Sequence, residues 1–166
     1  MTSLKESLKE APVVWKIKRF HNREAFNNKA FYEVTYVNGN ILLNEGINSG
    51  VLSLLCGAVV NPFNNANAYI GVGDSDADAV VTQTGLQAIT NTFYKGMDSS
   101  FPMYGTLQKV TWQATFEEAE ANFNWQEFTV ANGSSNSAVN LNRKVSSQGT
   151  KSAGQIWQIG IVMELS

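Results

Sequence analysis

The 166-residue chain, of 18.2 kDa, is 43% hydrophobic and 16% charged, which suits one compact domain with a real core and excludes wholesale disorder. With 12 Lys or Arg against 14 Asp or Glu the net charge is −2, so the basic field behind non-specific nucleic-acid binding is missing and no nucleic-acid partner is expected. One cysteine, Cys56, and one histidine, His21, exclude an internal disulfide, a thiolate-rich zinc site and any mechanism needing two imidazoles.

The N-terminus has no apolar run of signal-peptide length, and the longest apolar stretch, Val51 to Val60, is interrupted by Ser53 and Gly57. The expectation is a soluble protein made inside a cell, with no membrane partner. Residues 1–30 carry seven Lys or Arg (Lys5, Lys9, Lys16, Lys18, Arg19, Arg23, Lys29) against Glu6, Glu10 and Glu24, so this segment is +4 and the rest of the chain is −6. That asymmetry divides the chain into a basic N-terminal arm, 1–30, and a body, 31–166. Trp15 and Phe20 among Lys16, Lys18 and Arg19, with Arg23 beyond, look built for an acidic partner surface or a neighbouring copy. The plainer reading of the first residues is a solvated helical turn over Leu4 to Glu10.

Val13 to Phe20 has apolar residues at 13, 15 and 17, while Phe31 to Val37 is aromatic and β-branched and ends at the turn signal Asn38-Gly39; the two runs can pair as strands. From Leu42 to Gly57 the period changes, with Leu43, Ile47, Val51, Leu54 and Leu55 at spacings of three and four. A helix over roughly 43–56 is predicted, with Asn44 as its cap and Gly57 as its stop. Gly46 and Gly50 weaken it by about 1 kcal/mol each, so it needs packing against a sheet. Further strands are expected near 68–72, 89–94, 107–117, 122–131, 138–147 and 155–165, divided by turn residues such as Gly85, Gly96 to Pro102 and Gly133 to Ser137. In the last strand Trp157, Ile159, Ile161 and Met163 alternate with Gln158, Gly160 and Val162. The fold class that follows is mainly β, an antiparallel β-sandwich or jelly-roll-like domain with one short α-helix.

Candidate chemistry thins out on inspection. Asp74, Asp76 and Asp78 alternate like the opening of a calcium loop, but Ala79 stands where an EF-hand has glycine and Gly85 where it has its bidentate Glu; an acidic surface turn fits better. Gly71 and Gly73 lack the third glycine of a dinucleotide site. Glu117, Glu118 and Glu120 are adjacent on one turn rather than across a cleft. Cys56 reads as a small buried hydrophobe and His21 as an exposed imidazole. No enzyme activity, metal or cofactor is expected. Trp112 and Trp157 read as core. The amide-rich aromatic stretches Pro62 to Asn67 and Phe101 to Tyr104 offer exposed interaction loops, with Phe63, Asn64, Asn65, Phe101 and Tyr104 as candidate contacts.

The order of these segments carries a resemblance. Leu42 to Asn48 leads to Tyr69-Ile70-Gly71-Val72-Gly73-Asp74-Ser75 and Thr82 to Leu86; then come Val110 to Phe116, Trp125-Gln126-Glu127-Phe128, Val139 to Arg143 and a final strand. The series, over roughly 41–166, resembles small structural proteins of tailed bacteriophages, most of all capsid decoration (cement) proteins. The resemblance implies a virion component on the outer capsid surface, bound to the major capsid protein, stabilising the shell, and assembled as a homotrimer. On that reading the basic arm lies across junctions between shell subunits. The alternatives are a tail-tip, baseplate or fibre-associated phage protein, and a carbohydrate-binding β-sandwich for host recognition.

Overall fold

The computed structural model describes residues 13–165. Its strands form two antiparallel five-stranded sheets, the sandwich that the sequence pattern predicts. The first sheet runs β2 (Glu33–Asn38), β1 (Val13–Phe20), β10 (Ile156–Glu164), β7 (Lys109–Phe116), β6 (Met103–Thr106). The second runs β3 (Ile41–Leu42), β9 (Asn142–Thr150), β8 (Asn124–Ala131), β4 (Tyr69–Gly73), β5 (Thr92–Gly96).

Period-two alternation decides what faces the core. On β10, Trp157, Ile159, Ile161 and Met163 are buried while Gln158, Gly160 and Val162 lie outward. Its register places Ile161 between Trp15 and Trp112, so one apolar row crosses the sheet. From the second sheet Ile70, Val72, Phe128 and Val130 complete the core. Trp125 sits at its centre, edge-on to Phe116 and Trp157 with ring centroids 4.8 Å away in both cases, and its indole N–H donates to the Ala121 carbonyl at 2.9 Å. Trp112 and Trp157 are core residues, as expected.

The division at residue 30 is corrected by β1. This strand lies inside the first sheet, paired with β10 along its whole length and with β2 on the other side. Trp15 and Ile17 are fully buried. The basic residues misled because Lys16 and Lys18 alternate with Val13, Trp15 and Ile17: they are the outward face of an amphipathic strand. Arg19 keeps the inward phase and Phe20 the outward one, where α1 (Arg23–Asn27) and Phe31 cover it through edge-on contacts with Phe26 and Phe31. Residues 13–30 therefore belong to the sandwich. The helical turn proposed for Leu4 to Glu10 lies outside the described residues.

The expected helix exists in altered form, as a π-helical segment Gly46–Leu52 that runs into a single turn, α2 (Ser53–Leu55). Asn44 does not cap it, for no side chain bonds its N-terminus. Gly57, at φ +71°, ends it, and the Ala58 N–H closes on the Ser53 carbonyl at 2.9 Å. The two glycines do more than weaken the helix. A Cβ on Gly46 would run into the Leu141 backbone, and one on Gly50 would lie 3.2 Å from the Phe63 ring, so both glycines let the helix sit directly on the sandwich. Its other side is exposed at Leu52, Leu54 and Leu55, and Cys56 is exposed there too, not buried as expected.

Candidate functional site

Long-range polar contacts concentrate on the outer face of the second sheet. A strand bulge between Trp125 and Glu127 turns Glu127 outward while Phe128 and Val130 face the core. There a strap, residues 74–91 between β4 and β5, is clasped down. The Glu127 carboxylate, fully buried, accepts the backbone N–H of Gln87 at 2.9 Å and of Ala88 at 2.7 Å, and pairs with the Arg143 Nε at 2.6 Å. Arg143, also fully buried, donates through Nη1 to the carbonyls of Ala77 and Asp78 and to Gln83 Oε1 at 2.8–3.1 Å. The Asn136 amide holds both the N–H and the carbonyl of Leu86. Gly71 and Gly73 are accounted for here: a Cβ on Gly71 would fall 2.6 Å from the Tyr94 ring, and one on Gly73 would press on Glu127.

Neighbouring titratable groups serve the same layer. The Tyr94 hydroxyl bonds to Asn136 and Asn140, and burial, then the Glu127 charge, raises its pKa. Glu45 accepts the Asn140 N–H at 3.0 Å, and burial raises its pKa against that bond. These side chains bond to one another and to the strap backbone, an arrangement that anchors a loop. Within the strap Asp74 accepts from Asn91 at 2.6 Å, and Asp76 and Asp78 are exposed. Among the described residues no group of three or more His, Cys, Asp or Glu is placed to hold a metal ion.

The Glu117 to Glu120 turn is stapled in a similar way. Lys151, fully buried, directs its ammonium at the carbonyls of Glu117 and Glu120 and at Asn122 Oδ1, at 2.8, 2.9 and 2.8 Å. Burial pushes its pKa down to about 8 against the charges of Glu120, Glu117 and Glu118. The Glu120 carboxylate pairs with Lys95 at 2.7 Å. Sequence reasoning assigns no role to Tyr94 or Lys151, and meets Glu127 and Arg143 only as members of the segments that carry the resemblance.

The expected arm contacts separate into two groups. Trp15, Arg19 and Phe20 are buried and cannot meet a partner. Arg19 stacks on the Trp157 ring at 4.6 Å and donates to Thr35 Oγ1 and to Gln148; burial lowers its pKa, opposed by the Glu33 carboxylate. Lys16 and Lys18 stand half-buried on the outer face of the first sheet. Arg23 is partly exposed beside Glu117, with which it pairs. His21 is exposed and stacks on Tyr32 at 4.1 Å.

The two expected interaction loops come together. Asn65 Nδ2 donates to the carbonyls of Asp98 and Phe101 at 3.0 and 2.7 Å. Asn64 and Asn65 are exposed, whereas Phe63 is half-buried against Gly50 and accepts the Trp112 indole N–H at its carbonyl. Phe101 is half-buried, and Tyr104 lies on the edge strand β6 instead of in a loop. That strand exposes Met103 and Tyr104, the latter 81% exposed, and the turn after it exposes Leu107, with Leu165 held beside the turn by its bond to the Gln108 carbonyl. Comparison with family models, with curated proteins and with solved structures gives no match.

Proposed function

We propose that this protein is a non-enzymatic structural component of a tailed-bacteriophage virion, a decoration protein that binds the major capsid protein from outside and stabilises the shell. The observation that carries the reading is the β6 edge. Met103 and Tyr104 on β6, Leu107 in the turn after it, and Leu165, whose N–H donates to the Gln108 carbonyl at that turn, expose uncharged, largely apolar side chains at this end of the sheet, where Asn65 bonds the Phe101 carbonyl just before β6. Exposed apolar side chains at an unpaired strand edge and its turn suit burial against another protein. The polar layer under the strap is consistent with a structural role, because its groups hold the protein's own chain. The order of motifs over 41–166 supports the choice of virion. The contact moves accordingly from the buried Trp15 and Phe20 to the edge around Tyr104.

Cryo-electron microscopy of particles that incorporate the protein tests the location, with density expected on the outer shell surface; density confined to the tail refutes it. Tyr104→Ser with Leu107→Ser should weaken binding to undecorated shells while leaving the melting temperature near wild type, since both side chains are exposed. Undiminished binding would refute the edge as the contact.

A further inference from the structure

We propose that the outer face of the first sheet forms a groove that takes the acidic strap of a second copy, so that copies associate through a heterologous contact. Two adjoining hollows, of about 110 and 470 Å³, share Lys18 and Gln158 and form one groove along β1 and β10. Gly160 leaves its floor as bare backbone between the register partners Lys16 and Gln113. Lys16, Lys18 and Lys29 line the groove, and among the described residues none of them makes an ion pair. At its far end Phe26 and Phe31 supply an apolar wall, Phe31 being 50% exposed. Asp98 bounds the other side, where its carboxylate accepts from Gln113, Thr115 and Gln158 and is thereby held by the groove's own side chains.

The strap carries the complementary pattern. Lys16, Lys18 and then the aromatic cluster over Phe20 follow one another at every second residue, about 7 Å apart on one strand face. Asp76, Asp78 and Val80, on a segment between β4 and β5 that is not itself a strand, give the order charge, charge, apolar with the sign reversed. Asp76 and Asp78 are exposed and without ion pairs among the described residues, Val80 is 47% exposed, and Ile89 on the same strap is fully exposed. The clasp of Glu127 and Arg143 fixes this segment before any partner arrives, which lowers the ordering cost of binding. Groove and strap lie on opposite outer faces of the sandwich, so one copy's groove cannot take its own strap. Each added copy leaves one groove and one strap open at the ends of the row. The contact does not depend on the shell reading.

Sedimentation velocity of the full chain, over a dilution series and at low and high salt, tests this. The expected result is a mass above 18.2 kDa at high concentration that falls toward the monomer on dilution and on adding salt. Lys16→Glu with Lys18→Glu, and separately Asp76→Lys with Asp78→Lys, should each weaken association roughly tenfold or more. Mixing the two variants should restore it, because each then offers a face complementary to the other. All four side chains reach solvent, and if one double variant fails to fold the other decides alone. A wild type that is monomeric throughout, an association indifferent to both reversals, or a mixture no more associated than its parts would overturn the proposal.

Discussion

Replacing Glu127 with Gln tests whether one buried charge holds the strap. Glu127 and Arg143 have no exposed side-chain surface and meet at 2.6 Å. The amide keeps the shape, but it leaves the guanidinium without a counter-charge and turns an NH2 toward the N–H of Gln87 or Ala88, each of which now donates to a carboxylate oxygen. Breaking one side of a buried pair costs about 3–5 kcal/mol. In a domain of this size each kcal/mol lowers the melting temperature by about 2–4 °C, so a fall of roughly 6–20 °C is expected. The double change Glu127→Leu with Arg143→Met separates the charge from the hydrogen bonds. A plain buried ion pair is often replaced by apolar residues without loss, but here the N–H groups of Gln87 and Ala88 and the carbonyls of Ala77 and Asp78 would be orphaned. The double variant should therefore stay destabilised. Urea denaturation followed by tryptophan fluorescence gives the global figure, and amide exchange over residues 77–88 reports the strap. A loss below about 1 kcal/mol for Glu127→Gln, with strap amides as protected as in the wild type, would refute the reasoning.

Two further predictions concern the first strand and the buried lysine. Deleting residues 1–28 removes β1 with Trp15 and Ile17 and leaves one side of β10 unpaired; the product should lose cooperative unfolding in circular dichroism, and a folded body would restore the arm as a separate segment. Lys151→Met orphans three acceptors and should cost at least about 2 kcal/mol. Because the folded-state pKa of Lys151, about 8, lies below the ordinary 10.5, the unfolded chain holds the proton more tightly across that window. Lys151 therefore makes the fold more stable as pH rises between those values. Unfolding free energies measured across that range should rise less steeply in Lys151→Met, and equal slopes would contradict the assignment.

Strand periodicity was the legible part of the sequence. Wherever one face is packed and the other solvated, as on β10, alternation names the core residues one by one. The same alternation runs along β1, where Lys16 and Lys18 occupy the positions at which an amphipathic strand places its polar side chains, so their charge does not mark a separate arm. The polar layer was illegible for a different reason. Glu127 stands in Trp125-Gln126-Glu127-Phe128, where a bulge shifts the phase, and nothing local ties it to Arg143 or to the backbone of Gln87 and Ala88. The available signal was a lone carboxylate in an apolar strand together with Gly71 and Gly73, which mark close approach from outside. β6 escaped notice because it is short and returns through Leu107 and Gln108, both at φ +53°, a left-handed pair without the glycine or asparagine that flags such a hairpin.

The clasped strap also bears on how this chain can change in length. From Gly73 to Thr92 the backbone makes a long excursion, yet the ties at residues 77–78, 83 and 86–88 divide it into short closed loops. Closure entropy rises only logarithmically with loop length, so extra residues are cheap where they displace no tied group. That condition holds at Ile89 and Thr90, both exposed and lying between the Ala88 tie and the Asn91 to Asp74 bond, and fails between Ala77 and Ala88, where one inserted or deleted residue would carry every downstream donor away from Glu127. Length drift in descendants of this sequence should therefore collect at the β5 end of the strap and leave its middle constant in size.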